Sequence, residues 1–483
     1  MSRCTPLLAI LLVACPPPGV KPDSDTPVVD TDSDTDTDSD ADTDTDTDTD
    51  TDTDTDPPEG DVYWLSWELH DDIESLVWVT WTQDITATVH VEWAFEKDEW
   101  NSTASWELEP GTHTKLIAGI PYEQNAGWKL VVEGGETFEG DTITTGGIPS
   151  GWPSPTVTVS DPDNWLTEGK YLLTSINQDS GGWMSGTYWT FIIDREGRPI
   201  WAHKAPQRHW TLFVQVAVTG DHFLWDEATY WSNWDSGAGS QVHKRYLDQE
   251  ISDVWTPGLH HAYVQLPDGT LAWGSQYHGG EEALVYKAPD APDDDSGTVL
   301  WTCDDDWPDS GRCESNGLHY SIERNAFLYS FYTNNSLVEV SYATGESLWW
   351  AGEVRGGYDF EPSDSQFAWQ HGVTYTDEGH LMVSTHSQSG AMTTLVREYE
   401  VDHDSETLSQ VWAYDAASFA STNGDAWRLN NGNTLHLLGS AGEINEVTSD
   451  GTIVWHVDWN AEKLLGRGQF IEDLYTLVSP EAK

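Results

Sequence analysis

Three histidines recur at matching places in a repeated pattern, and they are the side chains here best suited to chemistry. His261 opens His-Ala-Tyr-Val-Gln-Leu-Pro-Asp-Gly-Thr-Leu, and His371 opens His-Gly-Val-Thr-Tyr-Thr-Asp-Glu-Gly-His-Leu. Each stands eight residues before a turn glycine, Gly269 and Gly379. His319 opens His-Tyr-Ser-Ile-Glu-Arg-Asn-Ala-Phe-Leu, one residue shorter. Imidazoles in a group support three chemistries. Neutral rings are zinc ligands. A ring that is substantially neutral near pH 7 is a base or a nucleophile. Hydrogen-bonded rings are also plain architecture. Residue type and spacing leave these three open.

A repeated element must position them. Six strand-turn-strand units end in an apolar residue and a Trp: Ile200-Trp201, Val254-Trp255, Leu300-Trp301, Leu348-Trp349, Val411-Trp412 and Val454-Trp455. The intervals are 54, 46, 48, 63 and 43 residues. Periods of about 40–50 residues with strand chemistry mark propeller blades. The pattern predicts a six-bladed β-propeller over 164–483, with these Trp packed between blades. Positions at one repeat offset are related by rotation about the central axis. The three histidines should therefore converge near the mouth of the channel. His278 and His386 follow His261 and His371 by 17 and 15 residues, and Asn334 follows His319 by 15. A second polar layer and surface loops are both consistent with that spacing.

Ahead of the propeller, residues 61–146 alternate apolar and polar in short runs such as Leu76–Trp81 and Ala87–Trp93. That is the pattern of a small β-sandwich, similar to a fibronectin type III module. The expected fold class is all-β, with a linker over 147–163. The first 15 residues read as a lipoprotein signal peptide: Arg3, an apolar run too short to span a bilayer, then Leu12-Val13-Ala14-Cys15. Cys15 is the expected lipidation site, holding the protein on a membrane. Residues 16–60 read as a disordered Asp/Thr spacer, with every even position from Asp32 to Asp56 an Asp. The expected location is an exported bacterial lipoprotein, on the outer membrane, the cell surface or the periplasmic side. Outside the cytoplasm, Cys303 and Cys313 should pair.

The balance of 21 Lys+Arg against 83 Asp+Glu gives a net charge of −62. That argues against a nucleic-acid partner, which needs basic patches. No P-loop, Rossmann glycine fingerprint or Gly-x-Ser-x-Gly elbow is present. No metal and no cofactor are expected.

Several segments resemble the signature of the bacterial arylsulfate sulfotransferase family. They are Gly258-Leu259-His260-His261, Leu318-His319-Tyr320-Ser321-Ile322, Trp369-Gln370-His371, Leu395–Asp402 with Val411-Trp412-Ala413-Tyr414, and Gly466-Arg467. The resemblance spans about Trp165 to Leu477. It implies a six-bladed propeller with a small N-terminal β domain. It also implies sulfuryl transfer from an aryl sulfate to a phenol by a ping-pong reaction. The intermediate would be a sulfohistidine, with no need for 3′-phosphoadenylyl sulfate. By position, His371 would be the nucleophile, with His319 and His261 as its catalytic partners. His260, Ser321, Tyr320, Trp369, Asn334 and His386 are the expected substrate-binding residues, with Tyr263 a further aromatic at the mouth. The partners implied are small aromatic sulfate esters and phenols.

The chain departs from the family in two places. His319-Tyr320-Ser321-Ile322 stands where the family has His-x-Asn-Ser. Ser330–Asn335 carries no basic residue where the family has an Arg. Arg355, Arg397 and Arg428 are the sequence candidates to replace it. The alternative reading is a catalytically inactive binding or scaffold propeller.

Overall fold

The structure, a computed structural model, describes residues 61–97, 99–179, 186–229, 240–277, 281–307, 312–387, 390, 392–459 and 463–483. The expected signal peptide, Cys15, the spacer and His278 lie outside the described residues.

The fold is all-β. Val62–Leu69, Val77–Gln83 and Gly111–Ile117 form one sheet of a sandwich, and Ala87–Ala94 with Asn125–Val132 the centre of the other. Alternation does the work here. Val77, Val79 and Trp81 face inward against Val89, Val91, Trp128 and Leu130, while the residues between them stay partly exposed. Fully burying each such side chain contributes ~1.5–3 kcal/mol.

Six further sheets form the blades of the propeller. Their inner strands, in ring order, are Leu464–Ile471, Val214–Val216, Leu259–Gln265, Ser315–Ser321, His371–Tyr375 and Asp425–Arg428. We number the blades one to six in that order. Interior strands such as Tyr188–Asp194, Ala326–Phe331 and Leu381–His386 are buried on both faces. They accordingly read as continuous apolar runs rather than alternating ones.

Hydrogen bonds link each inner strand to the next. Val216 N–H donates to Gln469 Oε1 (2.8 Å), and Gln215 Nε2 to Tyr263 O (3.2 Å). His261 Nδ1 donates to Ser315 O (3.0 Å), and Asn316 Nδ2 to Gln370 O. Thr374 Oγ1 donates to Ala426 O (3.2 Å), and Gly468 N–H to the Asp425 carboxylate.

The C-terminal strand Leu464–Ile471 is the innermost strand of blade one, so the two ends of the propeller sequence share a sheet. Thr156–Ser160 falls inside the stretch expected as linker. It instead forms the outer edge of blade six, paired with Ile453–Asp458. Val157 and Val159 alternate with polar residues, a strand signal that the neighbouring Gly and Pro obscure. Buried Arg195 locks the same seam. It donates to Glu446 (2.8 Å), Gly169 O (2.6 Å) and Leu166 O (3.0 Å), and stacks on Phe470.

The six Trp of the repeat lie on the fourth strand of each blade, counted from the axis. Trp201, Trp301, Trp349 and Trp455 are buried between blades as expected, whereas Trp255 and Trp412 are half-exposed. The outer strand Glu250–Trp255 lies at the rim, with four polar or exposed residues before its Val254-Trp255. The sandwich packs directly on the propeller: Ile73, Leu76, Leu116 and Tyr122 share one core with Ile200, Trp201, Leu474 and Leu477. Cys303 and Cys313 form a disulfide.

Candidate functional site

The site is built where three neighbouring inner strands break their register. Pairing shifts between Leu259 and Tyr263, between Ser315 and Gly317, and between His371 and Thr374. A bulge re-aims side chains that a regular strand would send to alternate faces. His261 and Trp369 are held at φ of 62° and 51°, a left-handed conformation uncommon for such residues. The bulge in blade three turns His260 into the blade, where its Nδ1 lies 3.3 Å from Glu282. It turns His261 toward the channel, with its ring 4.0 Å from that of His260.

Arg467 ties the channel together. It comes from the inner strand of blade one and donates from Nη2 to Asn316 O on blade four (2.8 Å). In a ring of six, those blades face one another, so the side chain crosses the axis. Its guanidinium charge acts on His261, His319 and His371 together. Burial, rather than Arg467, is the main reason all three rings stay neutral. It lowers His371 to about 3 and His319 to about 4, and His261 well below the usual histidine value. Burial likewise raises the carboxyls of Asp226, to about 7, and Asp425, both near enough to Arg467 to support its charge.

His371 has a defined proton. Its Nδ1 lies 2.9 Å from Trp369 O. A carbonyl only accepts, so Nδ1 carries the hydrogen and Nε2 the lone pair. The peptide that supplies this carbonyl is fixed by Gln370. That side chain is fully buried and donates to Ser330 Oγ (3.1 Å), Phe331 O (2.9 Å) and Ser336 O (3.0 Å). Aromatic rings surround the histidines. Trp210 and Phe213 approach His261 (6.4 and 6.1 Å), as does Tyr332 (6.3 Å). Trp369, half-exposed, stands between Tyr332 (6.1 Å) and His386 (6.5 Å). His386 donates from Nε2 to Ala420 O (2.7 Å).

Comparison with known proteins finds a family likeness over part of the chain. Residues 320–460 match the family described as arylsulfotransferase (ASST). This matched stretch, less than a third of the chain, is similar to that family. The activity that the family is named for is arylsulfotransfer. Among curated proteins, no match to the sequence is found. Similar solved structures include a putative 6-phosphogluconolactonase from Bacteroides fragilis (12% identity, 80% of this chain and 98% of that one, TM-score 0.39). They also include a periplasmic gluconolactonase from Pseudomonas aeruginosa (12%, 62% and 99%, TM-score 0.36). A third is virginiamycin B lyase from Staphylococcus aureus (11%, 66% and 96%, TM-score 0.34). At these scores they carry no argument about this chain.

Not every expected residue reaches the site. His371, His261, Trp369 and His386 come together at one level. His319 lies deeper. It pairs with Leu328, the third residue of its partner strand, as Tyr263 pairs with Trp273. It is thus level with Tyr263 rather than with His261. His319 lines a pocket with Tyr263, Thr374, Asp425 and Arg467.

Tyr320 and Ser321 are not at the channel. Alternation along the strand sends Tyr320 to the blade body, against Phe327 and Tyr342, with its hydroxyl on Asn325 (2.8 Å). Ser321 Oγ accepts from Arg324 N–H in the turn. Asn334 is buried beside the disulfide, its Nδ2 3.5 Å from Cys313 Sγ. His260 serves Glu282 instead of the channel.

The three candidate arginines are also elsewhere. Arg397 bonds Gln410, Arg428 bonds Glu398, and Arg355 lies exposed on the loop after blade four. Glu398 belongs to the cluster with metal-ligating geometry among the described residues, Glu378, His380 and Glu398, with ligand atoms within 4.8 Å of one another. That cluster is at a hairpin turn, and Arg428 already neutralises it.

Asn316 and Tyr332 went unrecognised in the sequence, and Gln370 and Arg467 were read only as parts of motifs. One signal for Arg467 was available: a lone cation between Gly466 and Gly468 in an otherwise apolar strand. A Cβ on Gly466 would land on the Leu212 carbonyl, so glycine is required for the arginine's strand to reach the ring.

Proposed function

We propose that this protein moves a sulfuryl group from an aryl sulfate to a phenol through a covalent sulfohistidine on His371. The observation that carries the reading is the bond from His371 Nδ1 to Trp369 O, which leaves Nε2 basic in the channel. Burial keeps that ring neutral far below pH 7, so the nucleophile needs no deprotonation. In the first half-reaction Nε2 attacks sulfur and the aryl S–O bond breaks. The aryl oxygen leaves with the electron pair and takes a proton from water. The sulfated imidazolium keeps its Nδ1–H on the Trp369 carbonyl, which stabilises its positive charge.

In the second half-reaction a phenol oxygen attacks sulfur and the N–S pair returns to Nε2. The phenol's proton passes to His261, whose Nδ1–H is engaged by Ser315 O, so that Nε2 is its basic nitrogen. His261 then releases the proton to water. His319, beside Arg467, offers a ring N–H to sulfuryl oxygens. Trp369, Tyr332 and His386 supply flat faces for the phenol ring.

The test is nitrophenol release from p-nitrophenyl sulfate by the full chain, with and without added phenol, at low and high salt. Phenol-dependent release is expected, together with a one-sulfuryl mass adduct on His371. Both should vanish in His371→Ala, and an active His371→Ala protein would overturn the mechanism. The reading extends to export with a lipid on Cys15, which the oxidised Cys303–Cys313 pair suits. Cys15→Ala should shift the protein from the membrane to the soluble fraction.

A further inference from the structure

We infer that Arg467, delivered by the C-terminal strand of blade one, is the catalytic residue that binds the transferring sulfuryl group. It takes the place of the family arginine that blade four lacks. The inference rests on the transferase reading above and deepens it.

Geometry supports the assignment. A sulfuryl group in transfer carries negative charge on three oxygens, and it needs a cation held ready at that point. Ser330–Asn335 provides none. Among the described residues Arg467 makes no ion pair within 4.0 Å. Its side-chain hydrogen bond is the one from Nη2 to Asn316 O, and Phe213 stacks on its guanidinium at 5.1 Å. Of the five N–H donors of a guanidinium, one is therefore spent on protein. Arg467 is partly buried in the channel; buried Arg195, by contrast, spends its donors on Glu446 and two carbonyls. A guanidinium kept in the interior without a bound carboxylate is an arrangement for an external anion.

The surroundings agree. Asp425 and Asp226 act on Arg467 from outside hydrogen-bond range, and their oxygens are already held. Trp427 Nε1 donates to Asp425 (2.9 Å), and the Leu212 and Phe213 N–H groups donate to Asp226 (2.9 and 2.8 Å). These carboxylates balance the charge while the site is empty, and they do not occupy its donors. Three neutral imidazoles, His261, His319 and His371, lie within reach of the same charge. They can meet a sulfuryl group without adding to or cancelling that charge. The guanidinium also spans the channel from blade one to blade four. A sulfuryl group at His371 would therefore rest against it rather than pass through.

The experiment compares the wild-type chain with Arg467→Ala and Arg467→Lys. The first readout is the nitrophenol burst in a single turnover with p-nitrophenyl sulfate, without phenol. Removing one preorganised donor of this kind costs on the order of 100–1000-fold. Arg467→Ala should lose that much, and added guanidinium ion at millimolar concentration should restore part of the burst. Arg467→Lys, which keeps charge and stem, controls for folding. It should fold and remain well below wild type, because a point charge does not reproduce the planar fork.

The second readout is inorganic sulfate binding by calorimetry, which does not depend on turnover. Sulfate should bind the wild-type protein and not folded Arg467→Ala. An active wild type with a burst in folded Arg467→Ala within fivefold would overturn the inference and leave the transferase reading standing. An inactive wild type whose sulfate binding still depends on Arg467 would overturn the transferase reading and leave the anion site. Sulfate binding that is equal in wild type and variant would overturn the anion site.

Discussion

The proton on His371 makes a sharp prediction about pH. An ordinary histidine titrates near 6.5. At pH 5 it would be only ~3% neutral, and a rate that needs the neutral ring would fall about 30-fold from its value at pH 8. Burial lowers His371 to about 3, with His386 and Arg467 adding to the shift. At pH 5 the ring then remains ~99% neutral, and the first half-reaction should be flat from pH 8 to pH 5. Asp226, raised to about 7 by burial, takes up a proton inside this window. That removes a negative charge near Arg467, so its effect on an anionic substrate would be to raise the rate, not lower it.

The assay is the single-turnover burst at unit pH steps, quenched into alkali, with circular dichroism at each step. An acid limb with its midpoint near 6.5 in folded protein would refute the reasoning. Stability, by contrast, should fall across the same range. The unfolded chain takes protons near 6.5 that the folded His371, His436, His319 and His203 refuse until about 3 or 4. Each of these histidines costs ~2 kcal/mol by pH 5. Asp226 and Asp194, raised to about 7 and about 6, work the other way and offset about half of the total.

Three further outcomes are expected. Gln370→Leu keeps the volume but leaves the Phe331 and Ser336 carbonyls buried without a donor, at ~1–3 kcal/mol each. It should lower the melting temperature, and it should lower kcat more than it raises KM, because the His371 peptide loses its anchor; unchanged kcat would count against that role. Gly466→Ala drives a Cβ into the Leu212 carbonyl, and it should cost about 1–3 kcal/mol and displace Arg467, with stability and sulfate binding falling together. Arg195→Met strands Glu446 in the seam between blades six and one, and chemical denaturation should show a loss of ~3–5 kcal/mol with the site's pH profile unchanged.

Much of the architecture is local and therefore visible in the chain. Each blade carries an apolar-Trp pair on its fourth strand, so six such pairs announce six blades, although only four of the Trp are buried between blades. Alternation in Val77–Gln83 states which face of the sandwich is inside. His261 and His371 could be matched because each is counted from its own turn glycine. That count failed for His319: the register shift falls around His261 in blade three and between His371 and its turn in blade five, whereas in blade four it falls ahead of His319, at Ser315–Gly317, which leaves His319 deeper. A bulge is one extra residue whose place depends on the partner strand, and the sequence does not mark it.

The cation was hidden for a stronger reason. Arg467 is 96 residues from His371 along the chain, and its charge acts on that histidine because the last strand closes the first blade and the side chain crosses the channel to blade four, next to the blade that carries His371. Type and spacing of residues determined the six blades, the sandwich and a set of channel histidines. Closure of the ring decided which charge they face, and no local pattern encodes a contact made across an axis.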